Sequence, residues 1–479
     1  MQQLNRRLGL WATVSIVTGS VIGSSIFMKP ATMAGQLGSP VLLLLVWVFA
    51  GLISMAGAAI NAEIGAMLPV TGGQFVFFKE MYGRFFAFLY GWASFSVINT
   101  ASVAAIAYIF AQYTSYFIPL PEFSQQTIQS LIIHIPALGD LYPLDHIGIK
   151  SLTALLIIIL TYINTRSVQG GSKLQVLFST AKIASLILLA GIIFLGGKGH
   201  SANLVSSSSL NQPQGWALAM ALAAAFSGAF AAYDGWNNLT FVAGEIKNPG
   251  RNVPLGLFLG LGICMLLYIT TSEAYLYMLP VDQMAHSALV ATDALEPVAG
   301  IYGAGLVALL VMLSTAGATN GNILACARVT FEMARDGQFF SSAGTINPTY
   351  QTPAKALWLH CIWTLLFVFS GSFDMLTDLF VFVTWIFYGF GAWGIFILRR
   401  KMKHADRPYK AWGYPVTPVL FVLFSAFYFV LTIWNDIEMY RTGKTHFINS
   451  VFGLLICAAG IPLYYFFNKK GKQPMPPPL

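Results

Sequence analysis

Two stretches decide how this chain folds: residues 19–27, Gly19-Ser20-Val21-Ile22-Gly23-Ser24-Ser25-Ile26-Phe27, and residues 233–238, Tyr233-Asp234-Gly235-Trp236-Asn237-Asn238. Each sets weak helix formers inside an apolar segment, and the second adds an acid and two amides. An Asp at the centre of a membrane helix costs about 2.5–3.5 kcal/mol on insertion scales, so its presence there points to function. Lipid offers no partner for open backbone groups, and a non-helical stretch at membrane depth must therefore line a cavity inside the protein. Glycines four residues apart also serve as close helix contacts, a reading open to Gly19 and Gly23 and to Gly256 and Gly260.

The surrounding chain is apolar throughout. Of 479 residues 56% are hydrophobic and 9% charged, against roughly 25% charged in a soluble domain. Apolar windows fall at about 9–34, 41–66, 85–113, 148–163, 174–196, 216–243, 254–279, 298–331, 355–370, 374–398, 416–434 and 449–467. Twelve spans of about 20 residues use about half the chain and leave no room for a large soluble domain. The sequence predicts an all-α integral membrane protein, with one transporter domain over 1–470 and a disordered, proline-rich tail over 471–479. The first window, followed by eleven more, reads as a mature span and not a signal peptide. The interrupted windows are the first and the sixth, so each opens a block of five: repeat 1 at about 9–196 and repeat 2 at about 216–398, with extra helices at about 416–467. Corresponding interruptions in two halves point to a transporter binding site.

The charge of +8 is a matter of topology. With twelve spans, 20 basic residues fall on the side of the termini, including Arg399, Arg400, Lys401, Lys403, Arg407 and Lys410, and four on the other: Lys150, Lys198, Arg441 and Lys444. Positive loops face the cytoplasm, which predicts a multi-pass protein of the cell membrane with both termini cytoplasmic. Lys29, near the outer end of the first span, and Lys182, in the middle of the fifth, complete the 26. No dense basic stretch lies outside the span flanks, so no nucleic-acid partner is indicated; lipid is the expected surroundings.

Enzyme chemistry finds no support. Paired catalytic carboxylates, HExxH, a nucleophile elbow and a phosphate loop are all lacking, and Gly191 to Lys198 misses the GxxxxGK spacing. No cofactor or metal site is indicated, and Cys264, Cys326, Cys361 and Cys457 all sit in apolar stretches as packing thiols. A channel would need a filter repeat or a pore-lining ring, which two unlike broken helices in one chain do not supply.

A site between two such breaks suits a zwitterion. Free N–H groups around Ser24 and Ser25, with Gly23 beside them, would hold a carboxylate, and open carbonyls near Val21 and Ala231 would hold an ammonium. The substrate side chain would then face Asp234, Trp236 and their neighbours Phe230, Gly235 and Asn237.

At these residues the chain resembles the amino acid-polyamine-organocation transporters, most closely their L-type amino acid transporter (light-subunit) branch. Gly23 to Phe27 is similar to the GSGIF signature of that family, and Ala62-Glu63-Ile64-Gly65 with Pro69 to Gly73 to its AELG-x-x-x-P-x-x-GG stretch. Tyr233 to Asn237 resembles its Y-x-GWN element and Asn248 to Pro254 its NP-x-RN-x-P element. Thr384 to Gly389, Arg399-Arg400 and Arg407 to Lys410 resemble WLFYG, RR and RPxK. The likeness runs from residue 8 to about 420. It implies a fold of five-plus-five inverted repeats with helices 1 and 6 broken, alternating access, and sodium-independent transport of L-amino acids, often by exchange, with proton symport as the alternative. Neutral amino acids are the expected substrates, and polar or cationic ones if Asp234 faces the side chain. The family usually has Gly where Ser25 stands, and an aromatic gate where this chain has Ala231, with Phe230 one residue earlier.

Lys182 matches a lysine of this branch, and the resemblance implies that its ammonium replaces a bound sodium ion near Ser314 and Thr315. It lies about eight residues from the cytoplasmic end, or roughly 12 Å, against a simple snorkelling role. Asn320 could bond the first break or bridge helices, and Trp385 and Tyr388 could face substrate or the sixth span. Glu63 is expected to pair with a basic loop residue, and His360 to pack in the core. Eukaryotic relatives join a heavy subunit through a cysteine in the loop at about 114–147; this loop has none, so no disulfide-linked partner is expected.

The charge asymmetry is testable with single cysteines. Gln2→Cys and Met475→Cys are each expected to react with an impermeant maleimide only after the membrane is opened; labelling of intact cells would invert the topology.

Overall fold

The computed structural model describes residues 8–68, 73–166, 168–205 and 212–470. The tail 471–479 and Pro69 to Gly72 of the AELG stretch lie outside the described residues. The helices run, in chain order, α1 (Leu10–Val21), α2 (Lys29–Leu37), α3 (Pro40–Met67), α4 (Gly73–Tyr82), α5 (Arg84–Ala93), α6 (Asn99–Thr114), α7 (Gln125–Ser130), α8 (Ile147–Arg166) and α9 (Val168–Leu195). They continue as α10 (Trp216–Tyr233), α11 (Pro249–Met278), α12 (Val281–Ala285), α13 (Val290–Arg335), α14 (Ala354–Ser370), α15 (Phe373–Lys401), α16 (Val416–Arg441) and α17 (Asn449–Lys470). Nine described helical stretches are long and apolar enough to cross a membrane, and Leu10–Val21, Lys182–Leu195 and Ala354–Ser370 are shorter apolar helices. This is an all-α membrane protein.

Local sequence sets the boundaries. Gly38 ends α2 in the left-handed conformation at φ 56°; Ser39 caps α3 by accepting the Leu42 amide, and Pro40 fills its first turn. Within α13, Gly300 leaves helical geometry at φ 64°, close to where the apolar window begins. The loop between α6 and α8 folds into α7 and a short hairpin, Ile133–Ile135 against Gly139–Leu141.

The helices gather into two compact units. The first holds residues 1–81, 180–311 and 385–435. Here α1 lies against α11, and the glycines of α11 make the fit: a Cβ on Gly256 would stand 2.7 Å from Thr13, and one on Gly260 2.6 Å from Val17. The pair spaced four apart is therefore a packing face. At one end of α3, Glu63 is 1% exposed and accepts both Nε and Nη2 of Arg399, at 2.8 and 2.7 Å, and the Ala411 amide at 2.6 Å. Arg407 stands 3.9 Å away, and Arg399 also covers the ring of Tyr414.

The second unit holds 82–179, 312–384 and 436–479. Between α5 and α6 a π turn at Ser94–Ile98 opens backbone carbonyls, taken up by Thr100 Oγ1 on Phe95 and by Trp363 Nε1 on Ser96. His360 packs against Phe95 and bonds Thr330 at 2.6 Å. The hairpin joins the loop before α17 through the Asp140 amide on His446 and the Ile448 amide on Leu138, over a small core of Leu138, Leu141, Phe447 and Ile448.

A side chain at Gly260 should force α1 from α11. Gly260→Val is expected to lower the apparent melting temperature of the purified protein in detergent, in keeping with about 1–3 kcal/mol for overpacking. Gly262→Ala, whose Cβ meets only Met55 at 3.6 Å, should leave it unchanged.

Candidate functional site

Helix α1 stops at Val21, Ile22 turns away at ψ 88°, and the chain passes through a short 3-10 turn at Ser25–Phe27 before α2. Helix α10 stops at Tyr233; Asp234 is extended at ψ 155° and Gly235 takes φ 105°. The chain then continues from Trp236 to Glu245 as a 3-10 helix and not as a second α-helical half. Asn237, Asn238 and Gly244 are poor α formers, and Thr240 Oγ1 bonds back to the Asn237 carbonyl at 2.7 Å.

The two breaks touch. A Cβ on Gly235 would stand 2.6 Å from the Ser20 carbonyl oxygen, so this approach and its positive φ both demand glycine. Beneath them the Tyr268 hydroxyl lies 2.8 Å from the Val21 carbonyl and 2.9 Å from that of Ala232. The Val21 carbonyl is therefore not open, as the sequence reading had it, because a phenol from α11 satisfies it. Tyr268 is fully buried in a ring cluster with Trp47 and Tyr233, and the Tyr233 hydroxyl donates to the Trp47 carbonyl.

Sequence reasoning missed Tyr268, although a signal was present. Gly256, Gly260, Cys264 and Tyr268 recur every four residues and so share one face of α11. Thr13, Val17 and Val21 do the same on α1, and the first two meet Gly256 and Gly260. Continuing both rows brings Tyr268 to the end of α1.

The first unit collects most of the expected site residues. Ser24 is 2% exposed and its hydroxyl finds no partner among the described residues, while Ser25 is buried beside it. Lys182, on α9, is 2% exposed and its ammonium donates to the Gly19 carbonyl at 3.4 Å. Asp234 is half-buried, and its Oδ1 accepts the Tyr388 hydroxyl at 2.7 Å. The Tyr388 ring packs on Trp236 at 4.8 Å, and Trp385 lies 4.0 Å from Phe230, centroid to centroid. Both α15 aromatics thus face the residues of the second break. Phe230 and Ala231 are buried. Asn237 accepts Asn61 Nδ2 at 2.7 Å.

Ser314, Thr315 and Asn320 belong to the second unit. There the buried Ser314 hydroxyl lacks a partner among the described residues, Thr315 bonds the Met312 carbonyl, and Asn320 accepts Asn164 Nδ2 at 2.8 Å, bridging α13 and α8. No group of three or more potential metal ligands occurs among the described residues.

Apolar helices interrupted by polar, non-helical breaks that meet inside the protein define a membrane transporter. The chain belongs to the amino acid permease family, whose sequence model matches residues 8–457. It is 30% identical to b(0,+)-type amino acid transporter 1 of Homo sapiens over 429 residues, which cover 88% of this chain and 82% of the relative. It is 28% identical to large neutral amino acids transporter small subunit 2 of Homo sapiens over 464 residues, covering 96% and 80%. The resemblance drawn from the motifs holds across the chain.

Tyr268→Phe keeps the ring and removes the hydroxyl from both carbonyls. Loss of a buried hydrogen bond costs about 0.5–1.5 kcal/mol, so the variant should stay folded while substrate affinity falls by roughly two- to twelvefold. Parent-like affinity in a binding or uptake assay would show that the phenol does not shape the site.

Proposed function

We propose that this protein carries L-amino acids across the plasma membrane by alternating access, as a sodium-independent exchanger. The chain crosses the membrane twelve times in two five-helix repeats of opposite topology, α1 and α10 each opening a repeat, followed by α16 and α17, with both termini in the cytoplasm. It works without a disulfide-linked heavy subunit.

The observation that carries this reading is the meeting of two helix breaks in one unit, with the Ser24 hydroxyl buried at the first and without a partner among the described residues. Ser24 and Ser25, with Gly23, receive the substrate carboxylate from the N-terminal side of the 3-10 turn. The ammonium lies toward the second break, at Ala231 and the residues after it. Phe230, closed against Trp385, takes the place of the aromatic gate that Ala231 cannot supply. Asp234, Gly235 and Trp236 form the floor beneath the substrate side chain, and Asn237 is held behind them by Asn61. The substrates are neutral amino acids, extended to polar and cationic ones by the Asp234 carboxylate.

Lys182 supports sodium independence. Its ammonium sits on the Gly19 carbonyl just before the first break, where it supplies the positive charge that a metal ion would otherwise bring. Purified protein in proteoliposomes is expected to take up labelled amino acid many times faster when amino acid is present inside, equally in sodium and choline buffers. Lys182→Ala should abolish most of that uptake with the elution profile intact. Uptake that needs sodium, or full activity in Lys182→Ala, would remove the basis for this assignment; uptake driven by a pH gradient into empty vesicles would favour symport.

A further inference from the structure

We infer that Asp234 holds a proton when the bound amino acid is neutral and releases it when the amino acid is cationic, so exchange of one kind for the other moves a proton with the neutral substrate. This rests on the reading of Asp234 as facing the substrate side chain.

The reason is charge. Asp234 stands in a helix break between aromatic walls, and its bond among the described side chains comes from a phenol, Tyr388 at 2.7 Å, which carries no positive charge. Asp234 forms no ion pair among the described residues. On α9, Lys182 directs its ammonium to Gly19. On α11, Tyr268 is engaged with the Val21 and Ala232 carbonyls. On α2, Lys29 packs along Gly228, nearly two turns before the break. The acid of α3, Glu63, is bound to Arg399. A carboxylate at membrane depth with only neutral partners is costly, and it is relieved by one positive equivalent. A proton on the carboxyl supplies that equivalent, and so does a substrate ammonium or guanidinium. The two compete for the same oxygens.

The phenol bonded to Asp234 also borders a small cavity. Behind Tyr388 lies a chamber lined in part by Asn61, Gln74, Trp236 and Phe421, with room for about one water. The side chain of Gln74, 5% exposed, stands in its lining. When a cationic side chain arrives, the carboxyl O–H bond breaks and the proton passes to water. The carboxylate keeps the Tyr388 bond and gains the substrate cation. When a neutral side chain follows, water returns a proton to the same oxygen. Lysine entering against alanine leaving therefore carries no net charge, because the alanine leaves with a proton.

The test uses the full-length protein in liposomes loaded with alanine and a trapped pH-sensitive dye, with the membrane potential clamped by potassium and valinomycin. Addition of external lysine should raise the internal pH by about one proton per lysine taken up, and the initial rate should not depend on the clamped potential. Alanine against alanine should move no protons. In Asp234→Asn, the ratio of protons to any lysine still exchanged should fall to zero. Lysine exchange that follows the potential and leaves internal pH unchanged would overturn the proton proposal alone. Failure of lysine to exchange would overturn the substrate-facing reading of Asp234, and this proposal with it. A proton-to-lysine ratio unchanged in Asp234→Asn would place the proton elsewhere and refute the assignment.

Discussion

A backbone carbonyl that loses its helical partner at membrane depth has no water to turn to, and the first unit is organised around that constraint. Two helices end inside it, at Val21 and Tyr233, and one phenol stands at both ends. Tyr268 reaches them only because α11 lies close along α1, and that closeness depends on Gly256 and Gly260, where a single methyl would collide with Thr13 or Val17. Gly235 meets the same demand from the other side, resting on the Ser20 carbonyl in a conformation that other residues avoid. Packing and the open backbone of the site are thus two outcomes of one row of small residues.

A second line of contacts fixes what stands over the break. Glu63 binds Arg399 at the end of α15 and the Ala411 amide in the loop beyond, a buried ion pair whose lone pairs are used several times over. With that end of α15 anchored to α3, Trp385 and Tyr388 are presented three residues apart on one face, and they meet Phe230, Trp236 and Asp234. A charged pair near the helix end therefore helps to position uncharged rings roughly three to four turns back along α15.

Much of this was legible in the chain. The apolar windows, the low charge and the two polar interruptions read directly as membrane helices with breaks, because burial in lipid leaves so few alternatives. Glu63 was readable as the partner of a basic residue, since an unpaired acid there would be too costly. The site's hydrogen bonds were less so. That Asp234 would meet Tyr388, or that the Val21 carbonyl would be taken by Tyr268, depends on contacts between helices far apart in sequence, and no local periodicity reports a partner 154 or 247 residues away. The 3-10 path from Trp236 to Glu245 was missed for a different reason: a run of weak α formers shows where a helix fails but not which geometry replaces it.

The Tyr268 hydroxyl has two carbonyls within reach and a single hydrogen to give. At any instant it donates fully to one, or divides itself between both. If the ends of α1 and α10 draw apart, the phenol follows one of them and leaves the other carbonyl without its donor, at about 1–3 kcal/mol for a buried acceptor. A pair of dedicated donors would let each end keep its own partner. A single shared donor instead ties the two ends to each other, because parting them strands one carbonyl where no water can take it up.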